Sequence, residues 1–547
     1  MLGSSGGDEG ANVSSVVETS AGRLQGARER GLHVFRGVSY AAAPSGSLRF
    51  RPPQPPTPWA GVRDAMRSGP AAAQFALPVF SWINAAARSP GEDCLTLNVF
   101  TPAPDGARRP VLVWIHGGGF LVGSGSTVVY EGHALAERGD VVLVTINYRL
   151  GALGFAHLGS VLGGELADST NLGIRDQIAA LEWVRDHIDR FGGDPGNVTV
   201  FGQSAGGMSV ATLLGAPRAR PLFHRAICQS GAADHVIGRE EAERVAATLL
   251  RKLGGPPPSH ASLGKIPIEA LLEAQRAVMA ELTDWNTLMT FLPSVDGDIV
   301  PEQPLQAIRR GASAHIPLLT GSTLEEWKLF GLVDPGIGRF DEADLQARLA
   351  GVLPADAPRP ADAAREFRRA LGGRSAARSA REVWSAFQTA RVFHLPSARL
   401  AEAQHEGGGT AHSYLITWRA PALRRALGAC HAIEIPFVFG NESNPLARPF
   451  SGLNGDGARF ARRLQQTWLA FARTGNPGHD RLPHWPRYQP AQRATMVLGR
   501  ECQLSDAPLE AERALLTRWG VHRGSARSDA TPRRPAAQPA YLQPITS

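Results

Sequence analysis

Gly-x-Ser-x-Gly occurs twice in this chain, as Gly3-Ser4-Ser5-Gly6-Gly7 and as Gly202-Gln203-Ser204-Ala205-Gly206. Gly is abundant, so the pattern alone carries little weight, and its surroundings separate the two matches. Ser5 sits in a polar stretch with no strand before it. Ser204 follows the apolar run 198–201 (VTVF) and precedes 207–214 (GMSVATLL), which reads as a helix. Strand, sharp turn and helix are what a nucleophilic serine requires. The strained turn lifts the hydroxyl above the sheet edge, the glycines let the backbone pass, and the helix N-terminus favours developing negative charge. The bland alternative is a Gly-rich turn between strand and helix.

His116-Gly117-Gly118-Gly119-Phe120 also follows an apolar run, 110–115 (PVLVWI). Successive glycines let backbone N–H groups face a substrate oxygen with no Cβ in the way. Acyl transfer needs such donors because its tetrahedral intermediate carries an oxyanion. A dinucleotide loop fails on spacing, since position 122 is Val where Gly-x-Gly-x-x-Gly demands Gly. A plain flexible loop is the other reading.

A serine hydroxyl is a poor nucleophile until a base removes its proton. On this strand–elbow–helix arrangement the chain order is Ser, acid, His. Of 16 His, His431 is the best placed, on the loop after the candidate strand 413–418. His187 lies in a helix before Ser204, while His405 and His412 sit in a Gly-rich stretch and at a strand start. The acid should follow a strand end between Ser and His. The run 316–320 leads into Glu325-Glu326-Trp327, and pattern alone leaves both glutamates open, each against the reading of a solvated helix-start carboxylate.

These residues need a scaffold, and the chain supplies a rhythm. Apolar runs at 110–115, 141–146, 198–201, 225–229, 316–320 and 413–418 alternate with helical stretches. In 171–190, Ile174, Ile178, Leu181, Val184 and Ile188 recur at helical spacing, and Gly192-Gly193 stops the pattern. Continuous apolar strands suit a sheet covered on both faces, and strand–helix alternation means an α/β fold with a mostly parallel sheet. Two stretches break the rhythm, about 235–290 and 335–405. Both read as helical insertions able to cap the C-terminal edge of the sheet. Residues 1–13 and 523–547 read as flexible tails around one catalytic domain, 14–522.

Composition narrows the function. The 547 residues are 43% hydrophobic and 20% charged, an ordinary globular balance. No apolar run approaches the roughly 18 residues of a membrane span. Of the net charge of +7, +3 lies in the last stretch, where Arg523, Arg527, Arg533 and Arg534 face one Asp529, and the rest of the chain carries +4 with both signs interspersed. No basic stripe with interleaved aromatics is present, which argues against nucleic acid as a partner. Arg predominates over Lys (Lys252, Lys265 and Lys328 are the only lysines), a coding bias rather than a function. Cys94, Cys228, Cys430 and Cys502 show no CxxC pair and no metal-ligand spacing. With no secretory signal visible at the start of the chain, the expectation is a reducing cytoplasm.

Taken together the motifs resemble the type B carboxylesterase family of α/β-hydrolases, which includes cholinesterases and bacterial p-nitrobenzyl esterases. The resemblance covers about residues 15–520. It rests on Glu92-Asp-Cys-Leu-Thr-Leu-Asn98, Trp114-Ile-His-Gly-Gly-Gly-Phe120, Asn147-Tyr-Arg-Leu-Gly151, Phe191-Gly-Gly-Asp-Pro195, the Ser204 elbow, Gln229-Ser-Gly231 and Pro293-x-Val-Asp-Gly297, in the family's order. The resemblance implies a Ser204–His431–Glu326 triad, oxyanion donors from the N–H groups of Gly118, Gly119 and Ala205, and Ser230 as a buried serine supporting the acid. It implies a small-molecule ester as substrate, short- to medium-chain or aryl, and no cofactor or metal.

Several departures carry meaning. Ala71 to Ala73 stand in the segment where secreted members place the partner of the cysteine matching Cys94, so Cys94 is expected unpaired. Gln203 stands where many members have Glu, and Trp327 where vertebrate members have Gly. The gorge aromatics that bind choline have no clear match, so cholinesterase activity is not expected. The mechanism is nucleophilic attack by Ser204, with His431 as base and then acid. A base that must be neutral to act predicts activity falling below roughly pH 6–7. Carbamate or amide hydrolysis by the same triad is the alternative, and a non-catalytic binding member of the fold is the other.

Overall fold

The computed structural model describes residues 15–75, 88–255, 258–284, 288–332, 334, 337–372, 379–421, 424–452 and 455–521. Ser5 and both expected tails lie outside the described residues. Among these, eleven strands join one sheet: β1 (Ala27–Glu29), β2 (Leu32–Ser39), β3 (Thr96–Thr101), β4 (Arg109–Ile115), β5 (Val142–Ile146), β6 (Gly193–Gln203), β7 (Arg225–Gln229), β8 (Leu318–Thr323), β9 (Ala411–Ile416), β10 (Ala494–Leu498) and β11 (Cys502–Asp506). In space they run β11-β10-β9-β8-β7-β6-β4-β5-β3-β2-β1. From β10 through β5 every pairing is parallel. The pairings that bring β3, β2, β1 and β11 onto the two ends are antiparallel.

The apolar runs become strands because both of their faces are covered. Along β4, Val111, Val113 and Ile115 point into one core while Leu112 and Trp114 point into the other. That is the two-residue alternation of a pleated strand. Of the longer helices, α1 (Leu172–His187) and α2 (Ala205–Gly215) cover the first face, joined by α3 (Arg239–Leu253) and α4 (Ile268–Leu282). The stretch 335–405 holds α5 (Glu342–Val352), α6 (Pro360–Ala370), α7 (Ala380–Thr389) and α8 (Leu395–Glu406). The second face is covered by α9 (Gly455–Thr474), through Phe460, Leu464, Trp468 and Phe471. A last helix, α10 (Glu510–Arg518), joins α5, α6 and α7 in a third cluster around Trp384, Phe367 and Leu516.

Strand bounds differ from the sequence expectation where pairing, not apolarity, decides them. The run 198–201 is the middle of a longer β6, whose register slips between Gly193 and Val198, around Pro195 with its missing N–H. The strand expected at 316–320 begins at Leu318, because Pro317 has no N–H for the ladder. The strand expected at 413–418 is Ala411–Ile416. Trp418 leaves the ladder and stacks on Phe460 at 5.0 Å.

The result gathers the C-terminal ends of the parallel strands on one edge. The loop after β5 is fixed there by the buried pair Arg149–Asp176, whose Nη2–Oδ1 distance is 2.6 Å. No helix among the described residues is long and apolar enough to cross a membrane.

Candidate active site

Every residue expected to do chemistry follows the end of a parallel strand. Ser204 follows β6 directly, with φ 58° and ψ −125°. A non-glycine residue there is strained by about 1–3 kcal/mol. The turn is held from both sides, since Ser204 N–H donates to Gln229 O and Met208 N–H donates to Ser204 O, each at 2.8 Å. The flanking glycines are demanded by contact. A Cβ on Gly206 would lie 2.0 Å from Ile115 O, and one on Gly202 would lie 2.5 Å from the Gly206 carbonyl carbon. Ser204 is partly exposed, and among the described residues its hydroxyl makes no hydrogen bond.

The loop after β4 turns back on itself. Leu121 and Val122 N–H both donate to Gly118 O at 3.1 Å. Gly118 and Gly119 take φ of 115° and 64°, conformations that glycine reaches freely. His116 is fully buried, which lowers its pKa to about 4. It is therefore neutral, and Nδ1 lies 2.8 Å from Gly117 O while Tyr148 stacks on the ring at 4.5 Å. The N–H groups of Gly118 and Gly119 have no partner among the described residues. Ala205 N–H opens α2 and has no intrahelical acceptor.

The residues expected as acid and base meet across 105 residues. Glu326, completely buried, follows β8, and His431 Nδ1 lies 2.5 Å from its Oε2. Its Oε1 accepts from Ser230 Oγ and from Thr323 N–H, each at 2.6 Å. Three donors thus converge on one carboxylate, which fixes its plane and favours the tautomer with the proton on Nδ1. Ser230 itself sits at φ 48° just beyond β7. Gly231 lets that strand end approach the elbow, where a Cβ would lie 2.4 Å from Ser204 O.

Of the two adjacent glutamates, only Glu326 reaches the imidazole. Glu325 points the other way, into an ion pair with Lys328 at 2.6 Å and onto Ala429 N–H at 2.9 Å. The structure brings Glu326, His431 and Ser230 into contact and sets Ser204 on the adjacent elbow without a bond to the ring. Cys430 beside His431 is buried, which pushes its thiol pKa well up and leaves it no role as a rival nucleophile.

Other neighbours were not legible in the sequence. Phe330 and Phe393 pack on His431 with centroids at 5.1 and 4.8 Å. Phe393 belongs to a π-helical turn, Ala390–His394, between α7 and α8, and no periodicity marks such a turn. The Gln203 amide nitrogen lies 3.1 Å from Nε2 and 3.4 Å from Nδ1 of His431. Near-equal distances put it over the ring face, so the in-plane lone pair of Nε2 stays open. Glu434, three residues after the base, was detectable as a carboxylate in an apolar run. It is fully buried, accepts from Gln229 Nε2 at 3.1 Å and leaves Oε2 without a hydrogen bond. Burial, with the charge of Glu326 adding to it, pushes its pKa up to about 7.

Residues 13–515 match the carboxylesterase family. The chain is 36% identical over 504 residues to para-nitrobenzyl esterase of Bacillus subtilis (strain 168), covering 92% of this chain and 98% of that protein. It is 37% identical over 497 residues to phenmedipham hydrolase of Pseudarthrobacter oxydans, covering 89% and 95%. Among solved structures, Geobacillus stearothermophilus carboxylesterase EST55 at pH 6.2 superposes with a TM-score of 0.81 at 40% identity, over 91% of this chain and 99% of that one.

Proposed function

The chain belongs to the carboxylesterase family and is a serine carboxylesterase, and from that premise we propose that Ser204, His431 and Glu326 carry the reaction. His431 Nε2 takes the Ser204 proton as Oγ attacks the ester carbonyl. The oxyanion is received by the N–H groups of Gly118, Gly119 and Ala205. Collapse expels the alcohol with a proton returned from His431, and water repeats the sequence to free the acid. Ser230 keeps Glu326 in plane with the imidazole. The hydroxyl–imidazole bond forms when substrate enters, in keeping with catalytic hydrogen bonds that are long or unmade in the free enzyme.

The observation that carries this reading is the Glu326 carboxylate itself. It is bound by three donors and fixes the tautomer that leaves Nε2 as acceptor beside a strained serine. The relative named para-nitrobenzyl esterase directs the substrate proposal toward benzyl esters, within the short- to medium-chain or aryl esters that the motifs imply. A second reading, carbamate hydrolysis by the same residues, is favoured by the relative named phenmedipham hydrolase. Free thiols at Cys94, Cys228, Cys430 and Cys502 support a reducing, cytoplasmic setting.

The test is Ser204→Ala with p-nitrophenyl butyrate. A loss in kcat of about 10⁴-fold or more is expected, with no labelling by an organophosphonate probe. Unchanged turnover would refute the assignment.

A further inference from the structure

We infer that Glu325, the carboxylate next to the acid, is a positioning residue for the base: it docks the 428–431 loop and so sets where the His431 ring can stand. The inference deepens the triad reading and rests on it.

His431 stands fifteen residues after the end of β9, on a loop with little regular structure of its own. Two hydrogen bonds clamp it to Glu325. The Glu325 N–H donates to Ala429 O at 2.9 Å, and the Ala429 N–H donates to Glu325 Oε2 at 2.9 Å. The backbone bond nearest the ring is weaker, His431 N–H to Glu326 O at 3.3 Å. The remaining Glu325 oxygen is held by Lys328 Nζ at 2.6 Å, with Arg419 Nε at 3.5 Å from Oε2. Burial acts to raise the Glu325 pKa, but Lys328 and the Ala429 N–H outweigh it and hold the carboxyl below its usual range. The loop is shaped for this carboxylate. Gly428 has φ 53°, and a Cβ there would lie 2.2 Å from Glu325 Oε2 and 2.7 Å from its carboxyl carbon.

Adjacent carboxylates thus divide one task. Glu326 orients the imidazole, and Glu325 fixes the backbone two residues before it. A misplacement of about 1 Å at a catalytic group costs on the order of 10²-fold in rate.

The test compares Glu325→Ala, Glu325→Gln, Lys328→Met and the control Glu326→Gln on p-nitrophenyl butyrate, each at a folded fraction measured by circular dichroism. Glu325→Ala should lower kcat by about 10²-fold with KM within threefold, and Glu325→Gln, which keeps an acceptor for Ala429, should recover to within about tenfold of the parent. Lys328→Met should fall between the parent and Glu325→Gln. Adding Gly428→Ala to Glu325→Ala should cost clearly less than Gly428→Ala costs in the parent, because the methyl then meets no carboxylate and chiefly the strain of φ 53° remains; in the parent it should cost at least as much as losing Glu325. A folded Glu325→Ala within twofold of the parent in kcat overturns the inference, as does full additivity of the two substitutions. If Glu326→Gln also stayed active, the triad reading itself would fail; if it collapsed by about 10³-fold or more, only the role of Glu325 would be lost.

Discussion

At the elbow, Ser204 is placed by backbone alone. Its N–H and C=O are bonded at 2.8 Å to Gln229 and Met208, and Gly202, Gly206 and Gly231 allow three chain segments to touch. At the base, His431 is placed by side chains, with Glu326 on the ring and Glu325 on the loop. The elbow is a local design compressed into five residues between a strand and a helix. The base joins segments 105 residues apart through carboxylates that sit side by side in sequence and face different ways. Steric exclusion by backbone has no tolerance, whereas side-chain bonds can be weakened in steps. The two halves of the site should therefore fail differently.

The largest effect is expected at the elbow. Gly206→Ala sets a methyl 2.0 Å from Ile115 O and 2.9 Å from His116 O, both backbone atoms of the segment entering the glycine loop. Neither can move without displacing Gly118 and Gly119. Urea unfolding should show a loss of about 3 kcal/mol or more, and esterase activity should vanish. A stable, active Gly206→Ala protein would erase the contrast.

A smaller effect is expected behind the acid. Ser230→Ala removes one of the two donors on Glu326 Oε1 and leaves Thr323 N–H in place. A hydrogen bond to a charged group is worth about 1.5–3 kcal/mol, so kcat should fall by roughly ten- to a hundredfold with KM nearly constant. No change in kcat would show that the second donor suffices.

The smallest effect concerns stability rather than rate. Burial first, and the Glu326 charge second, raise the Glu434 pKa to about 7, so the folded protein keeps a proton that the unfolded chain has already released. The stability associated with that proton is complete below the ordinary carboxylate range and is lost as pH rises toward 7. Glu434→Gln cannot ionise. It should match the parent near pH 5 and exceed it near pH 8 by on the order of 2 kcal/mol in urea unfolding. Equal pH dependence for both proteins would mean that Glu434 is charged in the folded state throughout.

Legibility followed the same division. Ser204 and the glycine loop were readable because strand, turn and helix are contiguous and the turn tolerates few residue types. The sheet was readable from apolar runs, but its bounds were not, since Pro317 and the partner strand decide where β8 begins. Glu326 and Glu325 were indistinguishable by pattern, and the resemblance to the family chose between them. Phe393 on the base had no signal, because it arrives on a π-helical turn of a distant insertion.

What the sequence determined by itself was local. Apolar runs had to be buried on two faces, a serine between glycines after a strand had to form a strained turn, and three glycines in succession had to leave amides unencumbered. Those outcomes follow from sterics and solvation within a few residues. Which carboxylate meets the imidazole, which one grips the loop, and which aromatic rings close over the base depended on chain segments far apart being brought together by the sheet. Contact geometry of that kind is a property of the packed chain, since no segment carries by itself the direction in which its side chains will find their partners.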